Sequence, residues 1–519
     1  MSTPSEPLDL TIESASGAER RLHPLSWLFV LLQQMRSFAV PLLVLLVTGR
    51  GGPSVVLPLF GVTGLVVYSI LRYFSYRYRA DTDGIVITSG VLQRTRRDIP
   101  YERIHTVNLH QSLLHRMFDV VEVRLESAGS KEAEAVMRVL SMSDARALEQ
   151  LVRERGTRRR DETRPEAACA DTDVATAPLL TLDTMEVIRL GLISNRGMVV
   201  VAAAVGAGWQ FADDLRLSTD NLPAEVLAWG HHARNYVDAH LHDIVALAFV
   251  ALLIIVPALV VVRLLSVLLA LLQYHGFTVS EAGRQLRIER GLLSRIRNQL
   301  PRRRIQAWRI DETLLHRWFR RQTLRVDSAA GGDDDKHGVR YLVPVGTPAQ
   351  VSSLIGHVRQ APTWPPVDWH PVDARAWRRY FVFPACLLAA GTAVLAWVYG
   401  VAGLLLLLLA PLLLVRARRM AGFAGYVVTG DTVAVRHGWL NRSWGLVEIR
   451  KLQSLRITAS PFDRRLGMAT LWLDTAGASS SDGVLRIRYI PASDARQLYA
   501  ELAQRMTWLT NPSTTPSPR

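Results

Sequence analysis

One polar block occurs three times along this 519-residue chain, each time directly after a pair of apolar stretches, and that repeat restricts the fold more than any other feature. The copies open with Gly90-Val-Leu-Gln-Arg94, Gly291-Leu-Leu-Ser-Arg295 and Gly438-Trp-Leu-Asn-Arg442. Counted from the glycine, the next landmarks stay in register without a gap: Ile99, Leu300 and Val447; Ile104, Ile305 and Leu452; Arg116, Arg317 and Arg464; Phe118, Phe319 and Leu466. About forty residues align in this way. Val123 and Leu125, Leu324 and Val326, and Leu471 and Leu473 then alternate with polar residues, the period of a half-buried strand. Phe118, Phe319 and Leu466 stand in apolar surroundings, and burial is expected for all three. Each block ends in an apolar strand and a short helix. The helix opens with Ser-Asp-Ala-Arg at 143–146 in the first copy and at 493–496 in the third, a serine N-cap followed by an acidic residue suited to the dipole.

The apolar pairs are 27–47 with 55–71, 197–211 with 244–272, and 380–399 with 401–415. A hydrocarbon core of about 30 Å takes roughly 20 helical residues, so three hairpins and six membrane segments are expected. Gln33, Gln34 and Arg36 interrupt the first run, and residues 22–36 read either as a crossing or as an amphipathic lead-in. A hairpin returns the chain to the side it left, so all three blocks share one side. Arg20, Arg21, Arg72, Arg77, Arg79, Arg263, Arg416, Arg418 and Arg419 flank the membrane on that side, whereas the 212–243 loop holds only Arg216 and Arg234. The positive-inside rule makes the blocks and both termini cytosolic.

Apolar residues are 49% of the chain and charged residues 21%, a mixture that requires segregation into membrane and water-facing parts. The formal charge is +15, and Lys131, Lys336 and Lys451 are the only lysines, so arginine carries nearly all the positive charge. Two cysteines, Cys169 and Cys386, make no disulfide framework, and the first twenty residues contain no apolar signal core.

The Gly-apolar-Leu-polar-Arg turn, the Ile99-Pro100 and Leu300-Pro301 strand ends and the Arg116 and Arg317 segments together resemble the bacterial pleckstrin-homology-like membrane family of the YdbS/YdbT type, in its long form with three repeats. The resemblance implies a multi-domain membrane protein in which each transmembrane helical hairpin is followed by a PH-like module, a curled antiparallel β-sheet plus a C-terminal α-helix. The expected organisation is a tail (1–21), hairpin 1 with its lead-in (22–76), module 1 (77–155), a linker (156–178), hairpin 2 with an external loop at 212–243 (179–274), module 2 (275–357), a linker (358–369), hairpin 3 (370–420), module 3 (421–509) and a disordered tail (510–519). The third copy departs from the pattern, with Glu448 in place of proline and Pro461-Phe462 in place of Leu-Leu.

Arg94, Arg295 and Arg442 coincide in the alignment, as do Arg103, Arg304 and Lys451, and with Arg302 they form the candidate site for an anionic headgroup or a partner protein. The expected function is non-enzymatic binding or scaffolding at the membrane. The alternative is an accessory component of an envelope transport or antimicrobial-peptide resistance system, which rests on Arg36. Expected partners are membrane lipids and, by the resemblance, a small single-module PH-like membrane protein. A homo-oligomer is compatible with the pattern, and nucleic acid is not expected. No cofactor or metal is expected: His231, His232, His240 and His242 match no defined site, and Asp333-Asp334-Asp335 reads as a solvated hairpin tip. Phosphate-loop, nucleophile-elbow and zinc motifs are missing from the sequence.

Overall fold

The computed structural model describes residues 20–21, 64, 67, 70–71, 75–127, 135–162, 178–212, 244–328, 341–359, 364–476 and 485–510, apart from positions 82, 91–93, 284 and 367. Most of hairpin 1 with Arg36, the histidine-bearing loop and the Asp333 run lie outside the described residues. The chain divides into two compact units, residues 1–174, 181–278 and 289–299 against 175–180, 279–288 and 300–519.

In the first unit, β1 (Arg20–Arg21), β2 (Arg77–Ala80), β3 (Gly84–Ser89) and β4 (Thr95–Pro100) form a four-stranded antiparallel sheet in that order. A 3-10 turn at Tyr101–Arg103 then redirects the chain into a second sheet of β5 (Ile104–Gln111), β6 (Val120–Ser127) and β7 (Ala135–Ser141). Between β5 and β6 sits a one-turn helix, α1 (Leu113–Met117), and after β7 comes the longer α2 (Met142–Glu162). Ile85, Ile87 and Ile99 from the first sheet pack with Val121, Val123, Met137 and Leu140 from the second, and Leu148 and Val152 of α2 close the cluster. Burying these side chains, each worth about 1.5–3 kcal/mol, is the main force holding the module together. The structure therefore replaces the expected single curled sheet with two sheets facing each other. The turn at 101–103 is the physical reason, since it breaks the ladder between β4 and β5.

The remaining helices of this unit are α3 (Thr184–Ile193), which follows the two-residue β8 (Leu180–Thr181), α4 (Arg196–Ala212) and α5 (Ile244–Tyr274). Gly191 and Gly197 let the backbones approach: a Cβ on Gly197 would lie 2.3 Å from the Val262 carbonyl oxygen. The Gly197 amide donates to Ser266 Oγ (2.9 Å), an interhelical bond of the small-residue type that membrane helices use.

The second unit contains most of β9 (Thr278–Ala282) and β10 (Gln285–Arg290), while β11 (Arg295–Pro301) belongs chiefly to the first. Its main sheet has seven strands. Following β12 (Ile305–Glu312), α6 (Leu314–Trp318), β13 (Gln322–Ser328), β14 (Tyr341–Gly346) and α7 (Pro348–Arg359) complete the second repeat. The third begins with β15 (His370–Pro371), α8 (Ala376–Tyr399), a 3-10 segment at Gly400–Leu409 and α9 (Ala410–Phe423). It continues with β16 (Gly425–Thr429), β17 (Thr432–Gly438), β18 (Arg442–Glu448), β19 (Leu452–Thr458), α10 (Pro461–Arg465), β20 (Met468–Thr475), β21 (Leu485–Pro491) and α11 (Ala492–Thr510). The seven-stranded order is β14-β13-β12-β18-β17-β16-β15, and β19-β20-β21 forms a separate sheet.

Neighbouring repeats are thus joined edge to edge. In the first unit β11 pairs with β5, Arg295 opposite Gln111, Ile296 opposite His110 and Arg297 opposite Leu109. In the second, β18 pairs with β12 from Ala307 opposite Val447 to Glu312 opposite Arg442. Translated through the sequence alignment, the two registers are identical.

Among the described residues two apolar stretches are long enough to cross a bilayer, Leu252–Tyr274 and Ala376–Phe423. The second folds back at Gly400 (φ +63°), where α8 packs on the 400–409 segment and on α9. Of the six expected segments, those of hairpin 1 lie mostly outside the described residues, and α4, with 17 residues, is shorter than the roughly 20 that a span usually takes.

The repeated glycine now has a cause. Gly90, Gly291 and Gly438 adopt φ of +117°, +111° and +115°, and a Cβ on Gly291 or Gly438 would come within 1.9 Å of the carbonyl three residues on.

Candidate membrane-surface site

The structure places three of the seven predicted cations, Arg295, Arg302 and Lys451, on internal carboxylates. Glu289 receives Arg295 at 2.9 Å and Arg297 at 2.8 Å, and the two guanidinium groups hold its carboxyl below the usual range against the opposing effect of burial. Arg302 is paired with Glu281, which also meets His357 at 2.7 Å. Lys451 reaches Glu448 at 3.1 Å, beside Arg450 at 2.7 Å. Burial pushes the Lys451 ammonium below its ordinary value, opposed by Glu448. Arg304 is half-buried, while Arg94 and Arg103 are exposed at the two ends of β4 and its turn.

Arg442 differs. Its guanidinium carbon lies 4.7 Å from the ring centre of Phe423, the last residue of α9. Arg436, which the sequence reading missed, lies 5.3 Å from the same ring and 4.7 Å from Trp369. Trp444 meets Phe423 edge-on at 5.7 Å. The Nε atoms of both arginines are buried without a hydrogen-bond partner among the described residues. Burial, and then the neighbouring Arg442 charge, lowers the affinity of Arg436 for its proton. Position 436 aligns with Glu289, so the third copy has replaced the acid that neutralises Arg295 by a second cation. Comparing aligned positions for charge reversal would have found it. The result is two guanidinium groups stacked on aromatic rings where a membrane helix enters its module, an arrangement suited to an anion with several oxygens.

The one-turn helices add an apolar element. Met117 is 75% exposed and Trp318 80%, with Leu113, Leu114, Leu314 and Phe462 also open. Phe118 is 40% exposed and Phe319 and Leu466 are only half-buried, which corrects the expectation of burial. The buried member of this segment is polar: His115, His316 and Asp463, three residues earlier, occupy one aligned position. Each folds back onto the hydroxyl of the helix N-cap, Ser112, Thr313 or Ser460, and His316 and Asp463 also accept from the N-cap amide, closing a capping box. All three helices stand near the end of a membrane helix or its continuation. Arg116 donates to the Leu292 carbonyl (2.9 Å), whose own amide donates to Leu272 at the end of α5 (3.0 Å). α6 begins two residues after Glu312, the partner of Arg442. Arg379 near the start of α8 lies over Phe462 at 5.6 Å. Exposed Trp, Met and Leu flanked by arginine suit the boundary between headgroups and acyl chains.

Burial, only partly opposed by the nearby Asp311 carboxylate, holds the His316 imidazole below its ordinary range. Its Nε2 and Nδ1 meet Thr323 Oγ1 (2.9 Å) and Thr313 Oγ1 (2.8 Å). With the folded-state value depressed, the unfolded chain binds more protons below about pH 6.5, so stability is complete above that pH and falls as pH drops toward the depressed value. The thermal midpoint of the solubilised protein should therefore decline between pH 7.5 and 5.5, and His316→Asn should flatten that decline. Equal slopes would exclude His316 as its source.

Comparison with known proteins follows the same threefold division. A family model described as "Bacterial PH domain" matches residues 28–156, 236–359 and 383–506. The "UPF0699 transmembrane protein YdbT" of Bacillus subtilis (strain 168) is 24% identical over 449 residues, 83% of this chain and 85% of that protein. No solved structure matches. Among the described residues no group of three His, Cys, Asp or Glu side chains could hold a metal ion.

Proposed function

The chain belongs to the bacterial PH domain family, and from that premise we propose that it is a scaffold of the bacterial cytoplasmic membrane whose cytosolic modules hold anionic lipid headgroups. It is a membrane-associated protein built from repeated modules, and those modules act by binding rather than by catalysis. The observation that carries the lipid reading is the Arg436 and Arg442 pair on Phe423. A phosphodiester there would be gripped by two planar donors and flanked by Trp369 and Trp444, with the apolar one-turn helices α6 and α10 of the same unit entering the leaflet. The arginines on the module side of each hairpin support a cytosolic location for the modules and both termini.

The test uses the full chain extracted from membranes in polymer nanodiscs, with co-purified lipids counted by mass spectrometry. Each basic residue at an anionic surface contributes about 1 kcal/mol, about fivefold in affinity. Arg436→Gln with Arg442→Gln should therefore deplete retained phosphatidylglycerol and cardiolipin several-fold relative to zwitterionic lipid. The lysine pair should restore only part of this, since lysine offers a point charge where arginine offers a fork. Unchanged lipid ratios in the glutamine variant would remove the headgroup reading and leave protein recognition as the role of the modules.

A further inference from the structure

The two junctions between repeats are built from the same halves: the last strand of one repeat's first sheet (β11, β18) lies antiparallel against the first strand of the preceding repeat's second sheet (β5, β12). Among the described residues, one of each half is left over. β4 is the terminal strand of its four-stranded sheet and β19 of its three-stranded sheet, and β4 aligns with β11 and β18 while β19 aligns with β5 and β12. Thr95, Arg96, Arg97 and Asp98 are exposed along β4, as are Gln453, Ser454 and Arg456 along β19, whereas Gly445, Leu446 and Val447 in the covered strand β18 are buried.

We propose that β19 of one copy pairs with β4 of a second copy of this chain, forming a third junction in the register of the two internal ones. Transferring Glu312 opposite Arg442 to the free edges sets Arg94 opposite Ala459, Thr95 opposite Thr458, Arg96 opposite Ile457, Arg97 opposite Arg456, Asp98 opposite Leu455 and Ile99 opposite Ser454. The contact is heterologous, so repetition produces a ring if it closes and a filament in the membrane plane if it does not. An exposed edge is a template for strand addition, and here the chain itself carries the complementary strand. A second copy is favoured over an unrelated strand because the same chain already makes this contact twice. The Arg97 and Arg456 pair is the single like-charge opposition. Arg456 is drawn onto Trp472, its guanidinium 4.8 Å from the ring centre, and the repulsion weakens the junction without changing its register. The association does not depend on headgroup binding.

Directly opposed residues of an antiparallel pair have Cα atoms about 4.5–5.5 Å apart, within disulfide reach. With Cys169 and Cys386 replaced by serine, one tagged full-length chain carries Thr95→Cys and a differently tagged one carries Thr458→Cys. Oxidation of membranes co-expressing them should produce a dimer bearing both tags, and neither chain alone should cross-link. Arg456→Glu turns the like-charge pair into an attractive one and should raise the cross-linked fraction or the association constant roughly two- to tenfold. Absence of a mixed dimer would overturn the proposal. So would cross-linking of Thr95→Cys to itself, which would mean a two-fold contact, or to a different protein.

Discussion

Asp463→Ala should destabilise the third module by about 3–5 kcal/mol, the usual cost of removing one partner from a buried ion pair. The carboxylate is 6% exposed and has two duties. Its Oδ1 accepts from Arg379 Nε at 3.0 Å, fastening the module to the start of α8, and its Oδ2 accepts from the Ser460 hydroxyl (2.6 Å) and amide (2.9 Å). Alanine leaves a partly buried guanidinium uncompensated and opens the capping turn as well. Asp463→Asn retains an acceptor and should lose less. Arg379→Met, which offers a flexible apolar chain to the membrane boundary, should fall between them, because Asp463 keeps its bonds to Ser460 and the capping turn stays closed. Thermal unfolding of the solubilised chain, followed by Trp472 fluorescence beside the same core, checks the order. Equal midpoints for wild type and Asp463→Ala would mean the pair carries no net stabilisation.

Leu324→Ala should cost about 2–5 kcal/mol, through lost transfer energy and the cavity left behind. Leu324 is fully buried in β13 of the seven-stranded sheet, between β12 and β14. Phe319→Ala, five residues earlier and half-exposed, should cost much less despite the larger side chain. Comparable losses from the two variants would contradict this placement of the core.

The alternation that marked Val123, Leu125, Leu324, Val326, Leu471 and Leu473 was legible because a strand with one face inward must repeat every second residue, and all six are buried. The error at Phe118 and Phe319 has an equally physical source. In a one-turn helix the inward position is set by the capping turn, so the polar His115, His316 and Asp463 go inside and the large apolar neighbours go out. The seven predicted cations were real aligned positions, but alignment says nothing of a nearby carboxylate, and Glu289, Glu281 and Glu448 claim three of them. Of the site now favoured, Arg442 stood out as an aligned cation, whereas Arg436 shows only as a charge reversal at the position of Glu289. Pairing between repeats was illegible for a general reason: a strand's alternation reports which face is buried and is silent about which strand covers its edge.

The identical registers of β5 with β11 and β12 with β18 bear on how such a chain changes length over generations. The sequence repeat and the structural joint are out of phase, each joint borrowing one half from either side. A duplication or deletion of one whole repeat therefore recreates a complete joint at the seam and exposes no new kind of edge, so copy number can drift without any interface being reinvented. A cut placed between repeats behaves in the opposite way. A fragment limited to the second repeat would present both raw halves at once, and its misassembly would report on the excision rather than on the parent protein.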